Sequence, residues 1–337
     1  MKSQLLAVPL APWMKAPLVI SAMALTFAAS SIATAQTYPA RPITIVVPFP
    51  AGGPTDVLGR IMGERMRKTL GQVVLVDNTT GAGGTIGTSR VVKAPPDGYM
   101  VSLGHWGTHV VNGAYYTLSF NLLTDFEPVA MVATNPQVIV SKNAIPAKNL
   151  KELIAWIGAN SGKVLMGNGA VGGASHMAAI YFQNLIGAKF VHVPYKGGAP
   201  AMQALLGGEI DLYVTQISNM TALAKAGKLR AYAVTSDKRQ AAAPEIPTVD
   251  EAGLPGMHLS VWHGMWLPRA TPRNVVMRLN AAIVETLADP GIRERLAELG
   301  QEIPTREQQT PEGLFAHHKA EIDKWWPIIT AAGLKAN

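Results

Sequence analysis

The chain has 337 residues, no cysteine, 29 Lys plus Arg against 22 Asp plus Glu, and a formal charge of +7. Only 15% of it is charged and 48% is hydrophobic, too apolar a composition for a disordered chain. The length points to one large or two medium domains, and the lack of cysteine excludes a disulfide framework, a thiolate zinc site, an iron–sulfur cluster and a cysteine nucleophile.

The first 35 residues read as a secretory signal. Lys2 and Lys15 give a basic start without acids, Leu18 to Ala29 is an apolar run, and Ala33-Thr34-Ala35 is an A-x-A site cut after Ala35. The run is too short to span a bilayer, which takes about 20 residues. Without those 35 residues and their two lysines, 302 residues and a charge of +5 remain of the original 337 and +7.

Ile43 to Val47 is β-branched throughout and bounded by prolines, so it predicts a buried strand. Pro48 to Asp56 is a Gly/Pro loop, and Val57, Leu58, Ile61, Met62, Met66 and Leu70 then recur at helical spacing until Gly71. Val73 to Val76 is a second strand, Asn78 to Gly84 a second Gly-rich loop, Ile86 to Lys93 a helix and Met100 to Leu103 a third strand. Strand–loop–helix at this spacing means an α/β fold with parallel strands. Further on, strands are expected at Gln137 to Val140, Val164 to Met166, Phe190 to Pro194, Ile210 to Val214 and Leu229 to Thr235. Helices alternate with them at Leu150 to Ile157, with Asn149 as N-cap, and at His176 to Ile186, Ala201 to Leu206 and Met220 to Ala226. The end of the chain is helical, with starts at Thr271-Pro272, Asp289-Pro290 and Thr310-Pro311. Two apolar extended runs, Glu127 to Val132 and Leu259 to Leu267, flank the middle block. If both cross between lobes they form a hinge, and the cleft is the natural ligand site.

Three loops share one design, in which a buried strand ends, glycines turn the chain and a helix begins. They are Pro48 to Asp56, Asn78 to Gly84 and Gly167 to Ser175. Unpaired N–H groups at a helix start, with about half a positive charge from the dipole, suit an anion. A nucleotide phosphate fits poorly, because Gly81-Ala82-Gly83-Gly84-Thr85-Ile86-Gly87 places Ile86 where G-x-G-x-x-G needs its third glycine. There is no G-x-x-x-x-G-K-[ST] either. A carboxylate is smaller and fits better. Rival chemistries are weaker. Gly173-Ala174-Ser175-His176-Met177 lacks the final glycine of a nucleophile elbow, leaving a secreted hydrolase using Ser175 and His176 as the alternative function. His105 and His109 are spaced i,i+4 without the zincin glutamate, so no metal site is expected. His317-His318 reads as a solvated face, and the basic residues are too dispersed for nucleic acid.

The sequence resembles a known family at these loops. Tyr38-Pro39-Ala40-Arg41-Pro42-Ile43, Val47-Pro48-Phe49-Pro50-Ala51-Gly52-Gly53 with Asp56, and Gly81-Ala82-Gly83-Gly84 are similar to segments of the Bug receptors. These are the TctC-like extracytoplasmic solute receptors of tripartite tricarboxylate transport. Pro96-Asp97-Gly98-Tyr99, Val193 to Ala201, Leu205 to Asp211, Gly227 to Ala231 and Pro247-Thr248 through Gly253 continue the resemblance in order along nearly the whole exported chain. It implies an α/β, two-lobed periplasmic binding-protein fold of type II-like form. Each lobe is a mainly parallel sheet flanked by helices, and two hinge crossings join them. Lobe 1 would be 36–136 plus 257–337 and lobe 2 would be 137–256. The implied function is capture of a small carboxylic acid in the periplasm and delivery to tripartite transporter membrane subunits or a sensor, by a monomer without cofactor or catalysis. The resemblance assigns the carboxylate to backbone amides and bridging waters at Phe49, Ala51, Gly52, Gly53, Asp56, Gly81, Ala82, Gly83 and Gly84. Lobe 2 would offer Asn168, Gly169, Ser175 and His176, although Gly169 to His176 lacks the family's usual Thr and runs two small residues longer. His105, Trp106 and Thr108 stand where members carry small or hydroxyl residues, so Trp106 shapes an aromatic-acid pocket or belongs to the core. Tyr195 and Lys196 complete the candidates, as cleft rim or surface. Asp56 is expected to cap the first helix and stiffen its loop.

Overall fold

The structure, a computed structural model, describes residues 38–331 together with Gly333 and Lys335. The signal expected over residues 1–35 lies outside the described residues. The chain divides into Met1–Ala40 and a compact unit, Arg41–Asn337, and the account below concerns the second.

Among the described residues nine strands form one continuous sheet: β1 (Ile43–Val47), β2 (Val74–Asn78), β3 (Met100–His105), β4 (Phe126–Ser141), β5 (Leu165–Asn168), β6 (Val191–Pro194), β7 (Leu212–Gln216), β8 (Arg230–Val234) and β9 (Ser260–Pro268). Their order is β2-β1-β3-β9-β4-β7-β5-β6, with β8 added on β4. The outer strands are parallel, β1 to β2 and β3 at one end and β5 to β6 and β7 at the other. The central β4 and β9 run antiparallel to their neighbours.

β4 joins the two halves. The extended run expected at Glu127 to Val132 and the strand expected at Gln137 to Val140 are one 16-residue strand. Its first part, Phe126 to Pro136, pairs with β9, and its last part, Gln137 to Ser141, pairs with β7 and β8. Pro136 does not break the strand because it sits at the handover between partners, where a missing N–H interrupts no continuing ladder. The second connection meets β4 at the same level. Thr235 N–H donates to Gln137 O (2.9 Å), and its hydroxyl donates to Leu259 O (2.5 Å).

Helices follow the strands as the apolar spacing dictates. Helix α1 (Pro54–Leu70) buries Leu58, Ile61, Met62, Met66 and Leu70, and Gly71 ends it in the left-handed conformation. Helix α2 spans Thr85–Val92. A π-helical turn, Gly107–Val111, leads into α3 (Asn112–Tyr115). Then come α4 (Leu150–Ala159), α5 (Ala174–Ile186), α6 (Gly198–Leu206) and α7 (Thr221–Lys225). The end of the chain supplies α8 (Arg273–Ala288), α9 (Pro290–Glu298) and α10 (Pro311–Ala331). Side-chain caps occur where expected at Asn149, which accepts from Glu152 N–H (2.9 Å), and Asp289, which accepts from Gly291 and Ile292 N–H. At the third site the expectation shifts by one residue: the cap of α8 is Pro272, and the Thr271 hydroxyl bonds back to Pro268 O.

The His317-His318 expectation is corrected. His318 is buried, and its Nε2 donates to His109 O (2.5 Å). Helix α10 lies over β4 rather than facing solvent along that stripe, because Leu314, Ile322, Trp325 and Ile329 need cover.

Candidate functional site

Three strand-to-helix junctions converge on one cavity of about 50 Å³. β1 runs through Phe49 to Gly53 into α1, β5 runs through Gly169 to Gly173 into α5, and β6 runs through Tyr195 to Gly197 into α6. The three N-caps are glycines, Gly53, Gly173 and Gly197, and none carries a side-chain cap bond. First-turn N–H groups have no intrahelical partner. A glycine cap therefore leaves them open, whereas α4 and α9 close theirs with Asn149 and Asp289. Gly53 and Thr55, Gly173 to Ser175, and Gly198 all line the cavity. The site is thus rimmed by three positive dipole ends, and none of the lining residues carries a formal charge.

The first loop is fixed from behind. Asp56 is not the N-cap but lies in the first turn of α1, buried, with its carboxylate turned back into the loop. It accepts from Gly52 N–H (2.9 Å), Asn78 Nδ2 (3.0 Å) and Arg60 Nε (3.0 Å). Burial alone would raise its pKa, but these bonds, Arg60 foremost, hold it below 3.8. Asn78 also donates to Phe49 O (2.9 Å), so the loop is held at both ends. Phe49 stacks on His105 with ring centroids 4.6 Å apart. His105 Nδ1 accepts from Gly107 N–H (2.8 Å), so the neutral ring carries its proton on Nε2. Burial pushes its pKa down to about 4. His263, edge-on to it at 5.5 Å, meets the Thr55 hydroxyl at 3.2 Å.

On the opposite wall, the Ser175 hydroxyl accepts from Gly169 N–H (2.7 Å) and His176 Nδ1 accepts from Gly172 N–H (3.1 Å). Each side chain thus shapes its own loop, and no bond joins the two, so the hydrolase pairing is not assembled. Tyr213 is fully buried with its hydroxyl beside Gly169 and Gly198, and burial raises its pKa against opposing bonds from Thr215 and Ser175. Gln137, Thr215 and Gln216 complete the polar floor.

Of the sequence candidates, Phe49, Gly53, His105, Gly169 and Ser175 line the cavity. Ala51 and Gly52 are exposed at the loop tip. Gly81, Ala82, Gly83 and Gly84 stand beside the first loop without lining the cavity. Gly84 packs against Pro48 and the Thr108 methyl, and a Cβ on Gly83 would lie 3.0 Å from Val171 O. Thr108 supports His105, accepting from its N–H (3.0 Å). Trp106 belongs to the core, fully buried with its ring 4.9 Å from Trp325, so it forms no aromatic wall of this cavity. Asn168 is buried behind the loop against His192 (3.2 Å). Tyr195 is half-buried towards Glu209, and Lys196 is exposed. Sequence reasoning missed Gln137, Tyr213, Thr215 and Gln216. Polar residues inside apolar strands were the signal for these four.

The family model of the tripartite tricarboxylate transporter family receptor matches residues 58–334. The chain belongs to that receptor family. It is 40% identical over 303 residues, 90% of this chain and 88% of the relative, to the UPF0065 protein in the TAR-I ttuE-ttuC' intergenic region of Agrobacterium vitis. Among solved structures it is similar to the periplasmic binding protein BugD, at 42% identity and TM-score 0.85, covering 89% of this chain and all of that one. It is also similar to MatC from Rhodopseudomonas palustris with bound malate, at 35% identity and TM-score 0.83, over 87% of this chain and all of that one. The two-lobed α/β fold of a periplasmic solute receptor is therefore this chain's fold. The family places it in the periplasm, and no helix among the described residues is long and apolar enough to cross a membrane.

Proposed function

We propose that this receptor captures a small carboxylic acid in the cleft between its lobes and presents the closed form to the membrane subunits of a tripartite transporter or to a sensor. The observation that carries the reading is the set of three glycine-capped helix starts around one cavity without a charged lining. Charge-assisted bonds from backbone amides are stronger than neutral ones, and they hold an anion without a counter-charged side chain. Malate bound in the similar MatC is in keeping with this.

Lobe 1 comprises 36–136 and 257–337 and lobe 2 comprises 137–256. The change of β4 partner at Pro136 and Gln137 supports that division. The amides of Ala51, Ala82 and Gly83 lie next to the first helix start and take part through bridging waters, while Gly52 holds the loop through its bond to Asp56. Residues 1–35 are removed on export, and the receptor acts as a monomer without catalysis. Thr55, Ser175, Tyr213 and His105 orient the acid rather than react with it.

The test is a thermal-shift panel of mono-, di- and aromatic carboxylates on the exported protein. An acid at 100 times its dissociation constant should add about 2.7 kcal/mol of stability. A panel without any shift contradicts the carboxylate reading, and turnover of an acid contradicts the receptor reading.

A further inference from the structure

One wall of the cavity holds two glutamines that carboxylate capture does not use. Gln137 and Gln216 stand directly opposite each other in the β4–β7 ladder. Directly opposed residues project on one face with Cβ atoms about 4.5–5.5 Å apart. Both line the cavity, both are buried at 1% and 8% exposure, and the Oε1 of each has no hydrogen-bond partner in the protein. Buried acceptors are almost always paired, so two adjacent orphans on one wall call for a partner from inside the cavity.

The chemistry of that partner follows from what a pair of amides offers. Whichever way each is turned, it presents a carbonyl acceptor and an NH2 donor. A second carboxylate only accepts, and leaves both Oε1 atoms unpaired. An ammonium only donates, and no acidic side chain lines the cavity to balance it. Asp56 is already committed to Gly52, Asn78 and Arg60. A hydroxyl both donates and accepts. We infer that the ligand is a short hydroxycarboxylic acid, with its hydroxyl read by the Gln137–Gln216 pair while its carboxylate meets the helix starts. The cavity of about 50 Å³ suits a short chain. This rests on the carboxylate reading and adds the group that sets specificity. The pair also sits at the hinge, since Gln137 N–H donates to the Thr235 hydroxyl (2.9 Å), which in turn donates to Leu259 O.

The experiment is titration calorimetry of the exported protein with matched acids: lactate against propionate, 3-hydroxybutyrate against butyrate, malate against succinate. The hydroxy member of at least one pair should bind roughly tenfold or more tightly than its deoxy partner. Gln216→Met and, separately, Gln137→Met should bring that ratio to within about twofold, by weakening the hydroxy acid and sparing the deoxy acid. The melting temperature of each ligand-free variant reports that it is folded. If acids bind but the wild-type ratio is near one, buried water satisfies the glutamines and this inference falls while the carboxylate reading stands. A ratio that survives both substitutions overturns it as well. If no acid binds, both readings fall together.

Discussion

Gly197→Ser separates closure from folding. Gly197 caps α6 with φ 170° and ψ 177°, an extended conformation open to any residue, and serine is a preferred N-cap. The substitution therefore leaves lobe 2 stable by itself. In this structure, however, a Cβ here would lie 2.6 Å from Pro50 Cδ and 2.8 Å from Pro50 Cγ on the facing loop. Carbon atoms prefer about 3.5–4.0 Å, so the overlap is about 1 Å against a rigid ring on the loop that Asp56 and Asn78 pin. Overpacking of this kind costs about 1–3 kcal/mol. A form in which these two loops part does not suffer it, so if ligand binding draws them together the apparent dissociation constant should rise about 5- to 150-fold. Calorimetry measures the loss, and small-angle scattering with and without ligand measures the contraction on closure. The ligand-free melting temperature should stay within a degree or two of wild type, since surface changes rarely exceed about 0.5 kcal/mol. Wild-type affinity with wild-type contraction would refute the reasoning.

Other expectations follow from the same geometry. Tyr116 donates to Val171 O (2.5 Å), joining the segment after β3 to the loop after β5, and burial pushes its pKa up to about 12, so it remains a donor. Tyr116→Phe should cost about 0.5–1.5 kcal/mol of affinity, seen as faster dissociation in stopped-flow; an unchanged off-rate counts against a closing role. Trp106→Ala should lower stability by about 3–5 kcal/mol in urea titration without altering the preference among acids; altered preference would return Trp106 to the site. His105, His176 and His318 are held neutral by burial with pKa values near 4. The unfolded chain takes up these protons first, near pH 6.5, so stability is full above that and falls as pH drops towards about 4. A melting temperature that is flat from pH 7 to pH 4.5 contradicts this.

The sequence displays some of this directly. Glycine loops between β-branched strands and amphipathic helices locate the helix starts, since glycine N-caps are local features. Asn149 and Asp289 are legible for the same reason: the cap and the amide it serves are three residues apart or fewer. Facing partners are not local. Trp106 looks the same in sequence whether it borders a ligand or packs on Trp325 in the last helix. His318 reads as surface among its charged neighbours until His109 O is placed above it. The Gly81 to Gly84 loop has the glycines of an anion site, but Tyr116 and Val171 stand before it. Conversely, Gln137 and Gln216 are inconspicuous until the β4–β7 register sets them side by side.

The most direct test of the central claim is a crystal structure of the exported protein with the tightest-binding acid of the panel. The carboxylate should lie in the cavity within about 3 Å of first-turn amides at the Gly53, Gly173 and Gly197 helix starts, directly or through one water, as charge-assisted bonds require. A carboxylate held instead by Lys or Arg side chains, or found outside this cavity, would contradict it.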